Sequence, residues 1–277
     1  MRLSELGPNA TALYRVAFAL PFLLLWLALE RRPAASNGAA RRRKISRCDW
    51  LVLALSGVFW SGDLVFWHWS ISLTNVANST FFACSSPIFV ILGAWLLFGE
   101  RISRGFLAGF ALTLAGGACL LGSSLAFGGG DFLGDIFGIV TAFFFGSYIL
   151  TIKHLRAGLP TGAIMFWSGL FSLPGLLLAA LLTGEGFVSE SLFGWSMIIG
   201  LALLAHTVGQ GLAAYALAHL PASFASVAFL GEPVVAAILG WIILAEALGP
   251  LQGAGCIIIL AGVWLAQRYG TRRQSGA

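Results

Sequence analysis

Residues 85–100 read SSPIFVILGAWLLFGE, and residues 231–246 read GEPVVAAILGWIILAE. An ungapped alignment of the two stretches matches Pro87 with Pro233, Trp95 with Trp241, and Glu100 with Glu246. It continues into the apolar residues that follow, matching Gly109 with Gly255 and Gly116 with Gly262. The same proline, tryptophan and glutamate at the same spacing indicate that the chain contains an internal duplication.

The composition predicts a membrane protein. Only 10% of the residues are charged and 58% are hydrophobic, with a mean hydropathy of +0.90. These values exclude an ordinary soluble domain and a disordered chain, and the strict alternation of a membrane β-barrel is absent. Apolar runs of about 20 residues, enough to cross a bilayer as a helix, recur throughout. We therefore predict an all-α polytopic membrane protein with spans at 9–29, 49–72, 77–98, 105–123, 133–153, 161–183, 193–217, 222–245 and 249–268.

The net charge of +5 reflects membrane orientation. All of the 16 Lys and Arg residues except Arg2 and Arg15 lie in alternate connections or in the C-terminal tail. By the positive-inside rule these connections face the cytoplasm, so we predict a multi-pass protein of the cell inner membrane with a cytoplasmic tail, 269–277. The basic cluster 41–47 is expected to contact anionic lipid of the bilayer, and no nucleic-acid partner is predicted.

A second alignment indicates that one helix has no counterpart. Residues 157–174 match residues 4–21, with Leu159 on Leu6 and Pro174 on Pro21. The second half has a further predicted helix, 133–153, before this match. Its counterpart would precede Met1, and a late start codon, a truncation and a true loss of the helix are all open explanations.

The chain is therefore expected to contain two repeats of a five-helix design, of which it shows four helices plus five. The first repeat covers 1–123, without its first helix, and the second covers 133–268. Repeats with an odd number of helices have opposite topology in the membrane. Such inverted repeats are typical of secondary transporters, in which one repeat rocks against the other around a substrate site near midplane.

These residues carry a family resemblance. The chain resembles the drug/metabolite transporter superfamily, and within it the EamA-type transporters, in four features of the repeated stretch. These are the mid-helix proline, the small residue before tryptophan, the glutamate and the later G-x-x-x-G spacing. The pair Tyr14-Arg15 is similar to the pattern of that family's second helix. The resemblance implies ten helices in two repeats, with the first helix helping to line a central cavity. The aromatic richness is similar to that of bacterial aromatic amino acid exporters.

Polar side chains inside the spans are the candidate site residues, because a charged group at the bilayer centre costs about 2.5–3.5 kcal/mol on insertion scales. Asp63 shares a helix face with Trp60 and Trp67. Glu232 lies immediately before Pro233, and we take Glu232 and Asp63 as proton-coupling candidates. The predicted substrate-binding residues are Trp60, Asp63, Trp67, His68, Asn78, Ser86, Thr141, Phe145, Tyr148, Trp167, His206 and Gln210.

Structural alternatives stay open for several of these residues. A buried histidine can be a hydrogen-bonded partner between helices, and a protonated Glu232 can be tolerated structurally. Arg15 can snorkel outward or pair with a carboxylate. Glu100 and Glu246 stand at helix ends, where packing against a helix terminus or a loop is the favoured interpretation.

The absence of Walker A, H-E-x-x-H and G-x-S-x-G motifs argues against an enzyme, and neither a cofactor nor a metal is predicted. We expect a secondary transporter that exports a small-molecule substrate, such as an aromatic amino acid. Its predicted cavity is walled by the spans 49–72, 77–98, 133–153, 193–217 and 222–245. A multidrug or quaternary cation exporter, and a non-transporting membrane sensor or scaffold, are the alternatives. The sequence is compatible with a monomer but does not specify the oligomeric state.

Overall fold

The computed structural model describes residues 5–30, 45–74, 76–122, 132–244 and 249–271. Within these ranges there is no strand, and the predicted all-α polytopic fold is confirmed. Three parts of the sequence analysis lie outside the described residues: the connection 31–44 with its basic cluster, Glu246, and the tail residues 272–277. The helices are α1 (Pro8–Glu30), α2 (Arg47–Leu73), α3 (Val76–Ala83), α4 (Ser86–Phe98), α5 (Arg104–Leu121), α6 (Phe132–Arg156), α7 (Thr161–Leu182), α8 (Leu192–Gly200), α9 (Gly211–Ala216), α10 (Ala222–Phe229), α11 (Glu232–Leu244) and α12 (Pro250–Thr271). A π-helical segment (Leu201–Gln210) joins α8 to α9.

The helices have the length and the surface of membrane spans. In the described part of the chain, eight stretches are long and apolar enough to cross a bilayer, and Ala222–Val235 is a shorter apolar stretch. Large apolar side chains are widely exposed, for example Leu96 (70%), Leu204 (73%) and Ile257 (71%). Such exposure fits a surface whose solvent is hydrocarbon, where helices satisfy their own backbone hydrogen bonds.

Two of the predicted spans, 77–98 and 222–245, each contain a short break in the helix. Each is interrupted, between α3 and α4 at Cys84 and Ser85, and between α10 and α11 at Leu230 and Gly231. Pro87 and Pro233 follow the two breaks, and proline has no N–H with which to continue the helical ladder. Glu232 is therefore the first residue of α11 rather than a mid-helix residue.

The two breaks have the same hydrogen bonds at matching positions. In the first, Ser85 N donates to Phe82 O (2.9 Å) and Ile88 N donates to Ser85 O (2.9 Å). In the second, Gly231 N donates to Ala228 O (2.9 Å) and Val234 N donates to Gly231 O (3.1 Å). The duplication seen in the sequence thus extends to the local backbone geometry.

The chain divides into two compact units. The first contains Met1–His68 and Ser147–His219, and the second contains Trp69–Gly146 and Leu220–Ala277, so the boundaries fall within α2 and α6. The first unit includes α1, most of α2, the end of α6, α7, α8, the π-helical segment and α9. The second includes α3, α4, α5, most of α6, α10, α11 and α12. Each unit therefore takes helices from both predicted repeats.

In the first unit, α7 packs closely against α1 and α2 at glycines. A Cβ atom at Gly57 of α2 would lie 2.6 Å from Phe171 Cβ of α7. A Cβ atom at Gly162 of α7 would lie 2.7 Å from Leu27 N of α1. Small residues of this kind let membrane helices approach each other and gain packing energy that lipid does not supply.

Carboxylates from neighbouring segments cap the ends of α1 and α7. Glu185, just after α7, accepts from Ala10 N (2.7 Å) at the start of α1. Glu30, the last residue of α1, accepts from Gly162 N (2.8 Å) at the start of α7. A helix begins with backbone N–H groups that have no partner within the helix, and a carboxylate there satisfies them and complements the helix dipole. The two antiparallel helices therefore have a glutamate cap at each N-terminus.

Glu5 ties the chain before α1 to the start of α8. Its carboxylate accepts from Ser189 Oγ (2.7 Å), from Ser191 N (3.1 Å) and from the Ser191 hydroxyl. The Ser191 hydroxyl in turn accepts from Gly194 N (2.9 Å), which caps α8. This network joins segments that are distant in sequence.

In the second unit, α5 and α12 approach most closely at four glycines. A Cβ atom at Gly109 would lie 2.8 Å from Gly262 O, and one at Gly255 would lie 2.8 Å from Gly116 O. The alignment of the repeats matches Gly109 with Gly255 and Gly116 with Gly262, so the same contact is made twice with the roles of the helices exchanged. Here too the absence of side chains permits contact between backbones.

Glu100 caps a helix of the other repeat, within the second unit. Its carboxylate accepts from Ala222 N (2.9 Å) and from Ser223 N (3.3 Å) at the start of α10, and also from the Ser223 hydroxyl. The interpretation of Glu100 as a packing residue at a helix terminus is confirmed.

The adjacent glycines of α5 provide a matched pair for testing this packing. A Cβ atom at Gly116 would lie 2.6 Å from Ile259 N, whereas one at Gly117 would have no atom within 4 Å. We expect Gly116→Ala to lower the melting temperature in detergent, because overpacking costs about 1–3 kcal/mol. Gly117→Ala should be neutral or stabilising, because alanine favours a helix by about 1 kcal/mol over glycine. A melting temperature of Gly116→Ala equal to that of Gly117→Ala would contradict the close contact.

The Glu5 network predicts an acid-sensitive contribution to stability. Hydrogen bonds from the side chains of Ser191 and Ser189 lower the pKa of Glu5 below the ordinary value of a glutamate. A lowered folded-state pKa stabilises the fold above the unfolded-state pKa, and this contribution is lost as pH falls through the folded-state pKa. The melting-temperature difference between the wild type and Glu5→Gln should therefore be constant near neutrality and shrink in acid.

Glu190→Gln is the control for this measurement, since it removes an exposed charge from the same connection and keeps both serine hydroxyls. A difference between wild type and Glu5→Gln that persists unchanged to about pH 3 would show that it does not come from ionisation of the Glu5 carboxylate.

Candidate functional site

Trp60 is the centre of an aromatic and basic cluster in the first unit. The indole is 4% exposed, and its ring centroid lies 4.8 Å from that of Tyr148 and 5.6 Å from that of His206. The Arg15 Cζ atom lies 5.7 Å from the Trp60 ring centroid, within range of a cation–π interaction. These four residues, which we call the Trp60 cluster, come from α1, α2, α6 and the π-helical segment.

The π-helical segment presents His206 to the cluster. Thr207 Oγ1 donates to Ala202 O (2.9 Å), five residues earlier, as the wider π-helical turn allows. π-helical turns are uncommon and are frequent at functional sites. His206 is 2% exposed, and its Nε2 atom faces Gly169 of α7, 4.0 Å from where a Cβ atom would be.

Polar atoms of the cluster lack hydrogen-bond partners. Trp60 Nε1 and both ring nitrogens of His206 are buried and make no hydrogen bond. About nine-tenths of buried polar groups in proteins are hydrogen-bonded, so each exception needs an explanation. Two such exceptions, in Trp60 and His206, lie next to each other in the first unit.

Both signs of charge occur at the cluster. Arg15 is close enough to His68 and His206 to interact with both electrostatically. Asp63, which is 9% exposed, interacts in the same way with Tyr148. Asp63 is one turn from Trp60 on α2, as the sequence predicted. The site therefore combines an aromatic surface with a cation and a carboxylate.

Hydrogen bonds through Asn9 connect Glu185, which caps α1, to His68. Asn9 Nδ2 donates to Glu185 Oε1 (2.8 Å), and Asn9 Oδ1 lies 3.1 Å from His68 Nδ1. Because a carboxylate only accepts, the amide orientation is set, and Asn9 Oδ1 must accept from His68 Nδ1. The proton of the neutral His68 ring is therefore on Nδ1. The other ring nitrogen, His68 Nε2, is buried and has no hydrogen-bond partner.

The remaining predicted residues of the first unit lie beside other groups. The Trp67 ring lies beside that of His68, with ring centroids 5.5 Å apart and the ring planes tilted by 41°. Trp167 contacts Trp50 (4.7 Å between centroids) and Phe171, in a second aromatic group. Gln210 ends the π-helical segment and is half-buried. Of the residues predicted in this unit, Trp60, Tyr148 and His206 are thus brought into direct contact.

The predicted residues of the second unit have mainly local partners. Asn78 is fully buried, and its amide donates to Asp135 Oδ1 (3.4 Å). Thr141 Oγ1 donates to Phe137 O (2.9 Å), and the Phe145 ring lies 6.1 Å from that of Phe229.

Ser86 and Glu232 occupy matching positions at the two helix breaks of this unit. Ser86 is buried and begins α4, whereas Glu232 begins α11 and is exposed. Glu232, predicted from the sequence as a carboxylate inside a membrane span, is thus exposed at the start of α11.

Asn9, which orients His68, was not singled out from the sequence, and Arg15 was considered but not assigned to the site. Arg15 did carry a signal, as the single charged residue inside the predicted span 9–29. Asn9 carried none, because its partners His68 and Glu185 are far from it in the sequence.

Comparison with known proteins agrees with this architecture. The model of the EamA-like transporter family matches the chain twice, over residues 1–122 and residues 132–267. A solved crystal structure superposes with a TM-score of 0.77 at 20% identity, covering 97% of this chain and 90% of that one. At that identity the superposition supports the fold alone.

Several relatives are named as exporters. A "probable terminal-alkyne amino-acid exporter" of Streptantibioticus cattleyicolor is 27% identical over 87% of this chain and 82% of its own. A "probable amino-acid metabolite efflux pump" of Salmonella typhimurium is 30% identical over 63% of this chain and 61% of its own. A pseudopaline exporter of Pseudomonas aeruginosa is 24% identical over 87% of this chain and 80% of its own.

The unpartnered nitrogens of His206 predict that the residue costs stability. We expect His206→Leu to raise the free energy of unfolding, because removing a buried polar group without partners recovers about 1–3 kcal/mol. Thermal or chemical unfolding in detergent measures this change. His154→Leu, at an exposed histidine, is the control and should have little effect. A destabilised His206→Leu would indicate that the imidazole serves the fold rather than a ligand.

Proposed function

We propose that this chain, which belongs to the EamA-like transporter family, exports small amphipathic metabolites, with aromatic amino acids as the leading substrates. Transport would proceed by alternating access. The names of the relatives support export of amino acids or related metabolites. We place the protein in the cell inner membrane with its basic connections in the cytoplasm, because the Lys and Arg residues follow the positive-inside pattern.

The Trp60 cluster is the observation that supports this substrate class. Trp60 and Tyr148 provide an aromatic surface with centroids 4.8 Å apart, suited to the apolar body of a solute. Arg15 on one side and Asp63 near Tyr148 provide complementary charges for its polar groups. An amino acid with an aromatic side chain has an apolar body, an anion and a cation within one small molecule.

Coupling to a proton gradient is the second part of the proposal, with Glu232 and Asp63 as the carboxylates that would exchange protons. Glu232 follows a helix break, and discontinuous helices in secondary transporters commonly place polar groups where ions and substrates bind. Asp63 lies in the middle of α2 and interacts electrostatically with Tyr148.

A quaternary cation exporter is the rival within transport. Its ligands would bind to aromatic faces beside a carboxylate through cation–π attraction. The position of Arg15 over the Trp60 ring disfavours this rival, since a guanidinium already occupies that face and would repel a second cation. A sensor or scaffold would show no flux of any solute.

Efflux of L-phenylalanine from proteoliposomes tests the proposal. We expect Asp63→Asn to reduce efflux about tenfold or more, because a lost hydrogen bond to a charged group is worth about 1.5–3 kcal/mol. Glu232→Gln should abolish stimulation by a pH gradient while downhill exchange continues. Glu190→Gln, an exposed glutamate in a connection, is the control.

Wild-type efflux by both variants, with an unchanged pH dependence, would rule out the carboxylate mechanism. Efflux of tetraphenylphosphonium without efflux of amino acids would favour the cation exporter, and the absence of flux for both solutes would favour the sensor.

A further inference from the structure

The unpartnered nitrogens of the Trp60 cluster specify the kind of group that binds there. Trp60 is 4% exposed and His206 is 2% exposed, so water does not reach them freely. An indole N–H can only donate, and a neutral imidazole always carries one N–H donor. The group missing from Trp60 Nε1 is therefore a hydrogen-bond acceptor.

The charge around these nitrogens indicates that the acceptor is an anion. Arg15 lies 5.7 Å from the Trp60 centroid and interacts electrostatically with His206. The Tyr148 hydroxyl makes only a long contact of 3.8 Å to the Met165 thioether, which is a weak acceptor. A guanidinium beside several N–H and O–H donors matches a carboxylate better than an uncharged carbonyl, because hydrogen bonds to an ionised acceptor are stronger.

We infer that the Trp60 cluster is the binding site for the carboxylate of the exported solute, with Trp60 Nε1 and His206 as donors and Arg15 as the neighbouring positive charge. This inference rests on the proposed function, which it narrows to solutes that carry a carboxylate next to an apolar body. Asp63, three residues along α2 and thus about 4.5 Å further along the axis, is placed for the ammonium of an amino acid.

A matched pair of probes isolates the carboxylate. 3-Phenylpropanoate and 3-phenylpropanamide have the same body and nearly the same shape, but only the first is an anion. Titration of the purified full chain in detergent should show the anion binding at least tenfold more tightly than the amide. Trp60→Phe keeps the ring and removes the N–H, so it should weaken binding of the anion about tenfold and change binding of the amide by less than about twofold.

Trp50→Phe is the control variant, because it makes the same substitution on the same helix at a ring that packs on Trp167. It should bind both probes as the wild type does. Sodium chloride and sodium phosphate are added as separate arms. Inorganic anions that compete as strongly as the carboxylate would show a general anion site and overturn the inference.

The inference is also overturned if the wild type binds both probes equally or binds neither, or if Trp60→Phe weakens both to the same degree. Its failure is distinguishable from failure of the proposed function. Preference for the carboxylate without efflux of L-phenylalanine would leave the binding site intact and reject amino acid export. Efflux of L-phenylalanine without preference for the carboxylate probe would support amino acid export and reject the inferred binding site.

Discussion

The fold depends on the hydrogen bonds that satisfy the free backbone N–H groups at the starts of its helices. Carboxylates from other segments meet this need repeatedly. Glu185 accepts from Ala10 N, Glu30 accepts from Gly162 N, and Glu100 accepts from Ala222 N. A protein with only 11 acidic residues therefore uses several of them to join helix ends, and each such bond also fixes which helices are neighbours.

The same network reaches the candidate site. Asn9 donates to the Glu185 cap and accepts from His68, so the hydrogen bonds that begin α1 also set the orientation of an imidazole inside the first unit. Stability at the helix end and preorganisation of the site are thus provided by one chain of contacts. The Trp60 cluster differs, because the nitrogens of Trp60 and His206 are left without partners. Burying nitrogens without partners costs free energy of folding, and a ligand that accepts hydrogen bonds from them would offset this cost.

Duplication explains the architecture of the second unit. The helix breaks at Ser85 and Gly231 have equivalent hydrogen bonds, and the glycine contacts between α5 and α12 occur twice. Against this repeated framework, Ser86 and Glu232 occupy matching positions with different chemistry. Because Ser86 serves at the equivalent position of the other repeat, the helix break does not itself require a glutamate. This is why Glu232 is proposed for proton coupling.

The sequence by itself determined the membrane class, the helix ends to within a few residues, the duplication and the position of Asp63 one turn from Trp60 on the same helix. These features depend on hydropathy and on spacing along one helix, which are local properties. Only the tertiary structure decided that Tyr148, His206 and Arg15 surround Trp60, that Asn9 holds His68, and that Trp167 lies in another aromatic group. It also decided that the third and eighth predicted spans are broken and that Glu232 is exposed. Those outcomes depend on contacts between residues far apart in the chain, such as Asn9 with Glu185, and no local pattern encodes them.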